Sequence, residues 1–236
     1  MAACPASPFF AQNEPALSRA AGFIGFTGGY SALMGNITRS DYSNNSSGYA
    51  STSGYNIGLE GAYYLTRHIG IGGVCSFESF SVAHLQTLSD GYQNDFDVDS
   101  VSVTSTTKYN FYNFFVGPYF SFPVKKFTID ARVVAGITLV NTPEFDVNVI
   151  DGGKPHPFAQ NISYGSGFGF QAGAGLRYAI SDHVGIRLSV DYYYTDPDIA
   201  IKNSNRAIVA GRILTDYHEA VTSLKINLGL AYQFGK

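Results

Sequence analysis

The sequence predicts an all-β chain, an eight-stranded antiparallel up-and-down transmembrane β-barrel. Three observations lead there. Eight stretches alternate between apolar residues and polar or small ones, the period of two that a strand imposes. The links between them run long, short, long, short, long, short, long. The charges within these stretches fall on the polar faces, opposite a continuous apolar band.

Composition narrows the class. The 236 residues suffice for one large domain. Charged residues are 14%, against a globular norm of about 25%. Aromatic residues are 15%, from 18 Phe and 17 Tyr with no Trp, and there are 26 Gly. A net charge of −3 gives no reason to expect nucleic acid as a partner. No run of about 18 apolar residues is present, so no membrane-crossing helix is expected. Cys4 and Cys75 are too few and too far apart for a disulfide framework. Cys75 reads as an inert thiol facing the apolar side. Cys4, in MAAC, faintly resembles the end of a lipoprotein signal without its apolar region.

Residues 1–21 have no period and read as a mobile tail, while 22–236 read as the barrel. The segment ASPFFAQ resembles the tail of a signal peptide, but a basic n-region and full apolar h-region are missing.

The first strand is expected at about 22–34, with Ile24, Phe26, Tyr30, Ala32 and Met34 on one face, followed by a Ser/Asn-rich loop to about 53. The second, about 54–65, and the third, about 69–82, are joined by Thr66, Arg67 and His68 as a hairpin. Residues 83–108 hold the acidic segment DGYQNDFDVDS, read as a solvated loop, and a Ser/Thr-rich stretch, and part of them is expected to extend strand four above the membrane. The fourth strand, about 109–122, contains Pro118, which removes a ladder hydrogen bond and predicts a local irregularity. The turn 123–126 leads to the fifth, about 127–140, and 141–165, with Gly152, Gly153, Pro155 and Pro157, reads as a long loop. The sixth, about 166–180, turns at Ser181–His183 into the seventh, about 184–195. A polar loop, about 196–218, precedes the last, 224–234, LKINLGLAYQF.

Long connections at one end and short ones at the other match short periplasmic turns and long extracellular loops, as does the even strand number. The polar faces carry four acids, Glu60, Glu78, Asp130 and Asp191, and four bases, Arg132, Arg177, Arg187 and Lys225. A soluble lipocalin-type barrel would turn apolar side chains inward. Here the apolar band carries no charge, where a mid-bilayer Arg or Lys would cost about 2–4 kcal/mol. The eight residues are therefore expected inside the lumen, in a basic-dominated cluster near the short turns and an upper Glu78–Lys225–Asp191 cluster. An eight-stranded barrel has room for little beyond its own side chains, so such pairs would fill it.

In the last strand, Asn227, Gly229, Tyr232 and Phe234 fit polar-x-Gly-x-x-aromatic-x-aromatic. This resembles the C-terminal signal read by the barrel assembly machinery, although the chain runs on to Gly235 and Lys236. LTRHIGIGG and AISDHVGIRLSVDYYY resemble strand–turn–strand hairpins of the same kind. Residues 22–234 as a whole resemble the small OmpA-like or OmpX-like outer-membrane barrels of Gram-negative bacteria. The resemblance implies an outer-membrane location with both termini periplasmic. It implies lipid and lipopolysaccharide as surroundings, the assembly machinery as a partner in biogenesis, and a larger outer-membrane complex as a further partner. The peptidoglycan-binding role of relatives with a periplasmic domain is not implied, and no cofactor is.

Some small barrels act on lipid A or phospholipid. The histidines expected in long loops, His84, His156 and His218, have no Ser and acid placed beside them by a recognisable motif, and read as solvated loop residues. His218 stands beside Asp216 and Glu219, but sequence neighbours in a loop rarely form a catalytic set. Asp95, Asp97 and Asp99 form D-x-D-x-D, but Ser100 and Thr106 stand where an EF-hand loop needs Gly and an acid. The expected function is a non-enzymatic barrel with a plugged lumen, active in surface interaction, adhesion or an envelope complex. An outer-leaflet lipid-modifying enzyme and a narrow solute channel are the alternatives.

Overall fold

The structure is a computed structural model that describes residues 21–43, 48–203 and 216–235. Cys4 and residues 1–20 of the expected tail lie outside the described residues, as does part of the fourth long loop. Among the described residues the strands are β1 (Gly22–Met34), β2 (Ala50–Tyr64), β3 (Ile69–Val82), β4 (Ser100–Thr104), β5 (Tyr109–Val124) and β6 (Phe127–Asn141). They continue as β7 (Phe145–Asp151), β8 (Lys154–Ala179), β9 (Val184–Thr195), β10 (Asp198–Asn203), β11 (Asp216–His218) and β12 (Val221–Phe234). One helix, α1 (Leu85–Phe96), and a short 3-10 turn at Asn36–Thr38 lie in the long connections.

Eight of these strands close a ring. Each of β1, β2, β3, β5, β6, β8, β9 and β12 pairs antiparallel with the next, and β12 returns to β1. The period-two pattern sets the faces. In β12, Leu228 and Leu230 are 61% and 60% exposed, while Lys225 is 1% exposed. Apolar out and charged in holds around the ring, as a barrel in lipid requires.

The lumen is filled in layers. Phe23, Tyr64 and Tyr119 form an aromatic floor near the short turns. Leu33, Ile37, Phe80, Phe111 and Val140 are buried towards the long-loop end. The ionised residues lie between.

Pro118 leaves the expected mark. β5 pairs with β6 from Asn110 to Val116 and again from Tyr119, in unchanged register, with no rung at Gly117 and Pro118. The interruption costs two rungs but does not shift the strand.

The long connections are more ordered than the sequence suggests. The segment read as an open loop at 141–165 is a hairpin, β7–β8. Its turn, Gly152–Gly153, has φ of 56° and 74°, the positive values a two-residue turn of this hand demands. Asp151 faces Lys154 across the turn, so alternate rungs put Pro155 and Pro157 at positions where the strand N–H points away from β7. No described strand pairs with β8 on that side before Gln160. Proline tolerates an open edge, which is why two of them do not prevent a strand here.

The acidic stretch DGYQNDF is also no loop but the latter part of α1. Leu85, Leu88, Tyr92 and Phe96 share one side at helical spacing. Leu85, Leu88 and Tyr92 pack with Val101, Val103, Val147, Val149 and Phe158 to make a second core above the barrel, and the exposed Phe96 stacks on Tyr92. The Ser89 hydroxyl accepts the backbone N–H of Val103 at 3.0 Å and donates to the Leu85 carbonyl at 3.1 Å. Tyr42, from the connection after β1, lies across the helix, with its ring edge-on to Tyr92 and its hydroxyl donating to Asp95 at 2.8 Å. Residue 91 must be glycine for this, since a Cβ there would stand 2.1 Å from the Tyr42 ring.

Gly91→Val is expected to dislodge Tyr42 and free the segment 35–43 while leaving the barrel intact. Limited proteolysis of the folded protein in detergent checks this. Cleavage within 35–43 should quicken, while heat-modifiable migration on a gel stays unchanged.

Candidate functional site

All eight ionised residues singled out by the alternation point into the ring, and each is at most 5% exposed. Burying charge is costly unless it is paired and hydrogen-bonded. The strands deliver the partners from opposite walls, in two tiers.

The upper tier is centred on Glu78 of β3. Lys225 Nζ donates to Glu78 Oε1 at 2.8 Å and to Gln171 Oε1 at 3.1 Å. Ser223 Oγ donates to Glu78 Oε2 at 3.1 Å, and Asn113 Nδ2 to Oε1 at 3.0 Å. Asn113 Oδ1 accepts the Thr138 hydroxyl at 2.8 Å, which fixes the amide. The ammonium of Lys225 also lies 4.5 Å from the centre of the Tyr193 ring, a favourable cation–π contact. One acid meets one base, so this tier is neutral.

The lower tier is a chain of three acids and three arginines. Arg132 makes a two-pronged contact to Asp191, from Nε at 3.0 Å and Nη2 at 2.7 Å, and its Nη1 meets Glu60. Arg187 bonds Glu60 through Nε and Asp130 through Nη1 at 2.5 Å. Arg177 Nη2 donates to Asp130 at 3.1 Å, and the Tyr64 hydroxyl donates to the same oxygen at 3.1 Å. Arg177 leaves Nε and Nη1 without an acceptor and stacks its guanidinium 4.1 Å from the centre of the Phe23 ring. This tier is neutral too.

One expected grouping is corrected. Asp191 stands opposite Lys225 on the β9–β12 ladder, yet it turns to Arg132 and belongs to the lower tier. The planar fork of Arg132 matches a carboxylate with two parallel hydrogen bonds, which a lysine point charge cannot do. Ser189 Oγ, at 3.1 Å, and Asn227 Nδ2, at 3.4 Å, complete the shell of Asp191. Gln171 and Asn113 are members of the network that charge counting misses. Their inward parity in the strand pattern is the signal that finds them.

Of the four residues singled out in the last strand, Asn227 is buried against Asp191, Tyr232 is 54% exposed on the outer face, and Gly229 stands opposite Thr27. Phe234 stands opposite Gly22, over which its ring lies. The three histidines sit on separate elements. His84 heads α1, His156 is on β8 opposite Val149, and His218 Nε2 meets Asp198 Oδ1 at 2.8 Å with both side chains exposed. Asp95 and Asp99 are engaged separately, by Tyr42 and by the Gly153 N–H. Among the described residues no three His, Cys, Asp or Glu side chains form a metal-holding group.

The model of a family described as outer membrane protein beta-barrel domain matches residues 2–234. Among solved structures, the chain is similar to Ail, the attachment invasion locus protein of Yersinia pestis, at 15% identity and a TM-score of 0.42, over 90% of this chain and 99% of that one. It is similar to Neisserial surface protein A at 11% identity and a TM-score of 0.41, over 91% and 98%. It is similar to the outer membrane protein AlkL at 14% identity and a TM-score of 0.41, over 93% and 92%. A search of curated proteins found no match.

Removing one partner of a buried pair strands the other charge. Lys225→Met should therefore cost about 3–5 kcal/mol of stability. The double variant Lys225→Met, Glu78→Gln should regain most of that loss, because no unpaired charge remains. Denaturant unfolding of the protein in micelles or bilayers measures both.

Proposed function

Because the chain belongs to the outer membrane protein β-barrel domain family, we propose that it is a non-enzymatic outer-membrane barrel that works at its surface and not through its lumen. The observation that carries this reading is the double tier of paired charges across the interior. Paired, hydrogen-bonded side chains in an eight-stranded ring leave no continuous water column. The aromatic floor below and the apolar layer above support the same reading.

The working part is then the long-loop end, directed outwards, with both termini periplasmic and residues 22–236 as one barrel unit. There α1, β4, β7 and the projecting half of β8 build a platform with its own core. A surface held rigid by a core loses little entropy on binding, which suits adhesion, surface recognition or docking against a larger envelope complex. Lipid and lipopolysaccharide surround the apolar band. Asn227, Gly229, Tyr232 and Phe234 are the segment offered to the assembly machinery.

Planar-bilayer recording tests the closed lumen. The native chain is expected to give no channel steps above the lipid background, and steady conductance would reject the reading. Capture of partners from detergent-solubilised outer membranes tests the surface role. A chain with α1 and β4 replaced by a short Gly/Ser link should keep the barrel and lose the partner. Joint replacement of His84, His156 and His218 by Ala should leave the lipid A and phospholipid composition of the membrane unchanged.

A further inference from the structure

The topmost rung between β9 and β12 pairs Thr195 with Val221. Just beyond it, Glu219 keeps the inward parity of Val221, Ser223 and Lys225 and is buried to 4% exposure. The other buried carboxylates among the described residues have a cationic partner. Glu219 has none in any described salt bridge, and its Oε1 meets no hydrogen-bond donor. A buried acid without a donor is an anomaly that asks for a reason.

Its neighbours are the roots of two loops. Asp196 follows β9 and is exposed. Arg39 belongs to the connection after β1, which folds on itself: Arg39 N–H donates to the Asn36 carbonyl at 2.8 Å and Tyr49 N–H to the Arg39 carbonyl at 2.9 Å. Gly35 lies near the Ala220 carbonyl, which a Cβ at residue 35 would approach to 3.3 Å. The carboxyl of Glu219 is pushed up to about 7, first by burial and then by the Asp196 carboxylate, with Arg39 pulling it down. His218 and Asp198, next along, are exposed and paired with each other. Glu78, deeper in the lumen on β3, is paired with Lys225.

We propose that Glu219 is a proton-operated latch at the outer mouth: its neutral form seats the root of the first long loop, 35–39 and 48–49, on the root of the fourth, and its ionisation releases that seat. The direction follows from linkage. An acid whose folded pKa lies above its ordinary value of 4.5 destabilises the seated state as pH rises through the window. The seat is firm below that window and loosened above about 7. The effect travels outward, because Tyr42 of the same loop rests on α1 and ties it to the platform. The outer surface would present itself differently in acidic and in neutral to alkaline surroundings.

Hydrogen exchange of the full chain folded in micelles tests the latch, at pH about 6 and about 8, after correction for intrinsic rates. In the native chain, amides of 35–43 and 48–49 should lose about five- to tenfold of their protection at the higher pH, while amides of β5 and β6 stay unchanged. Glu219→Gln should hold the protected state at both values. Asp196→Asn, which removes the repelling charge, should move the midpoint of the transition to lower pH. A flat profile in the native chain, or a Glu219→Gln chain that keeps the full pH dependence, overturns the proposal. If Glu219→Gln does not fold, the Asp196→Asn midpoint decides: an unmoved midpoint rejects the latch.

Discussion

The interior depends on the pairing of Arg132, Arg177 and Arg187 with Glu60, Asp130 and Asp191. These groups come from β2, β6, β8 and β9, and every pair except Arg177–Asp130, which joins the neighbours β8 and β6, ties strands that are not hydrogen-bonded to each other. Each guanidinium needs a carboxylate at a set height, which fixes the stagger of the strands as well as the charge balance. A buried pair of this kind is weak evidence for stability in its own right, since desolvation offsets much of the attraction. Its effect is on uniqueness. A strand slipped by one residue would turn its charges to lipid and its apolar side chains to the lumen.

Neutrality tier by tier matters for the same reason. With one acid and one base above, and three of each below, neither level calls on the other or on an ion from solution. The polar neighbours Gln171, Asn113, Ser189 and Asn227 then satisfy lone pairs that the ions leave over. Above the upper tier this economy ends, and Glu219 is buried with no salt bridge among the described residues. The change falls where the membrane-spanning ladder gives way to loops, where movement is least expensive.

Much of this was legible in the sequence because it follows from a period of two. Parity alone assigns Lys225 and Asp191 to the lumen and Leu228 and Leu230 to lipid. Parity cannot choose among partners, however: it groups Asp191 with Lys225, while the fork of Arg132 claims it. The ordered platform was illegible for a different reason. α1 carries Gly91 and several polar residues, so its helix propensity is low, and its apolar side acquires meaning only once β4 and β7 lie beneath it. Pro155 and Pro157 read as strand breakers until the open edge of β8 is known. Glu219 looked like one more loop acid, because burial at a loop root leaves no periodic trace.

The ring closes with the first barrel strand against the last, Gly22 opposite Phe234, and the Ala21 N–H donating to the Gly235 carbonyl at 2.8 Å. The residues that finish the barrel are thus those furthest apart along it. No intermediate with seven strands in place is free of open edges, so closure is the step at which every unpaired backbone group in the wall is satisfied at once. Folding of this chain must bear a large loop-closure entropy before that reward arrives, which slows it. It also makes the two ends interchangeable in principle. A chain whose present ends were joined and then reopened at the Lys125–Lys126 turn would offer the same eight strands in a new order, with the seam moved to the opposite wall.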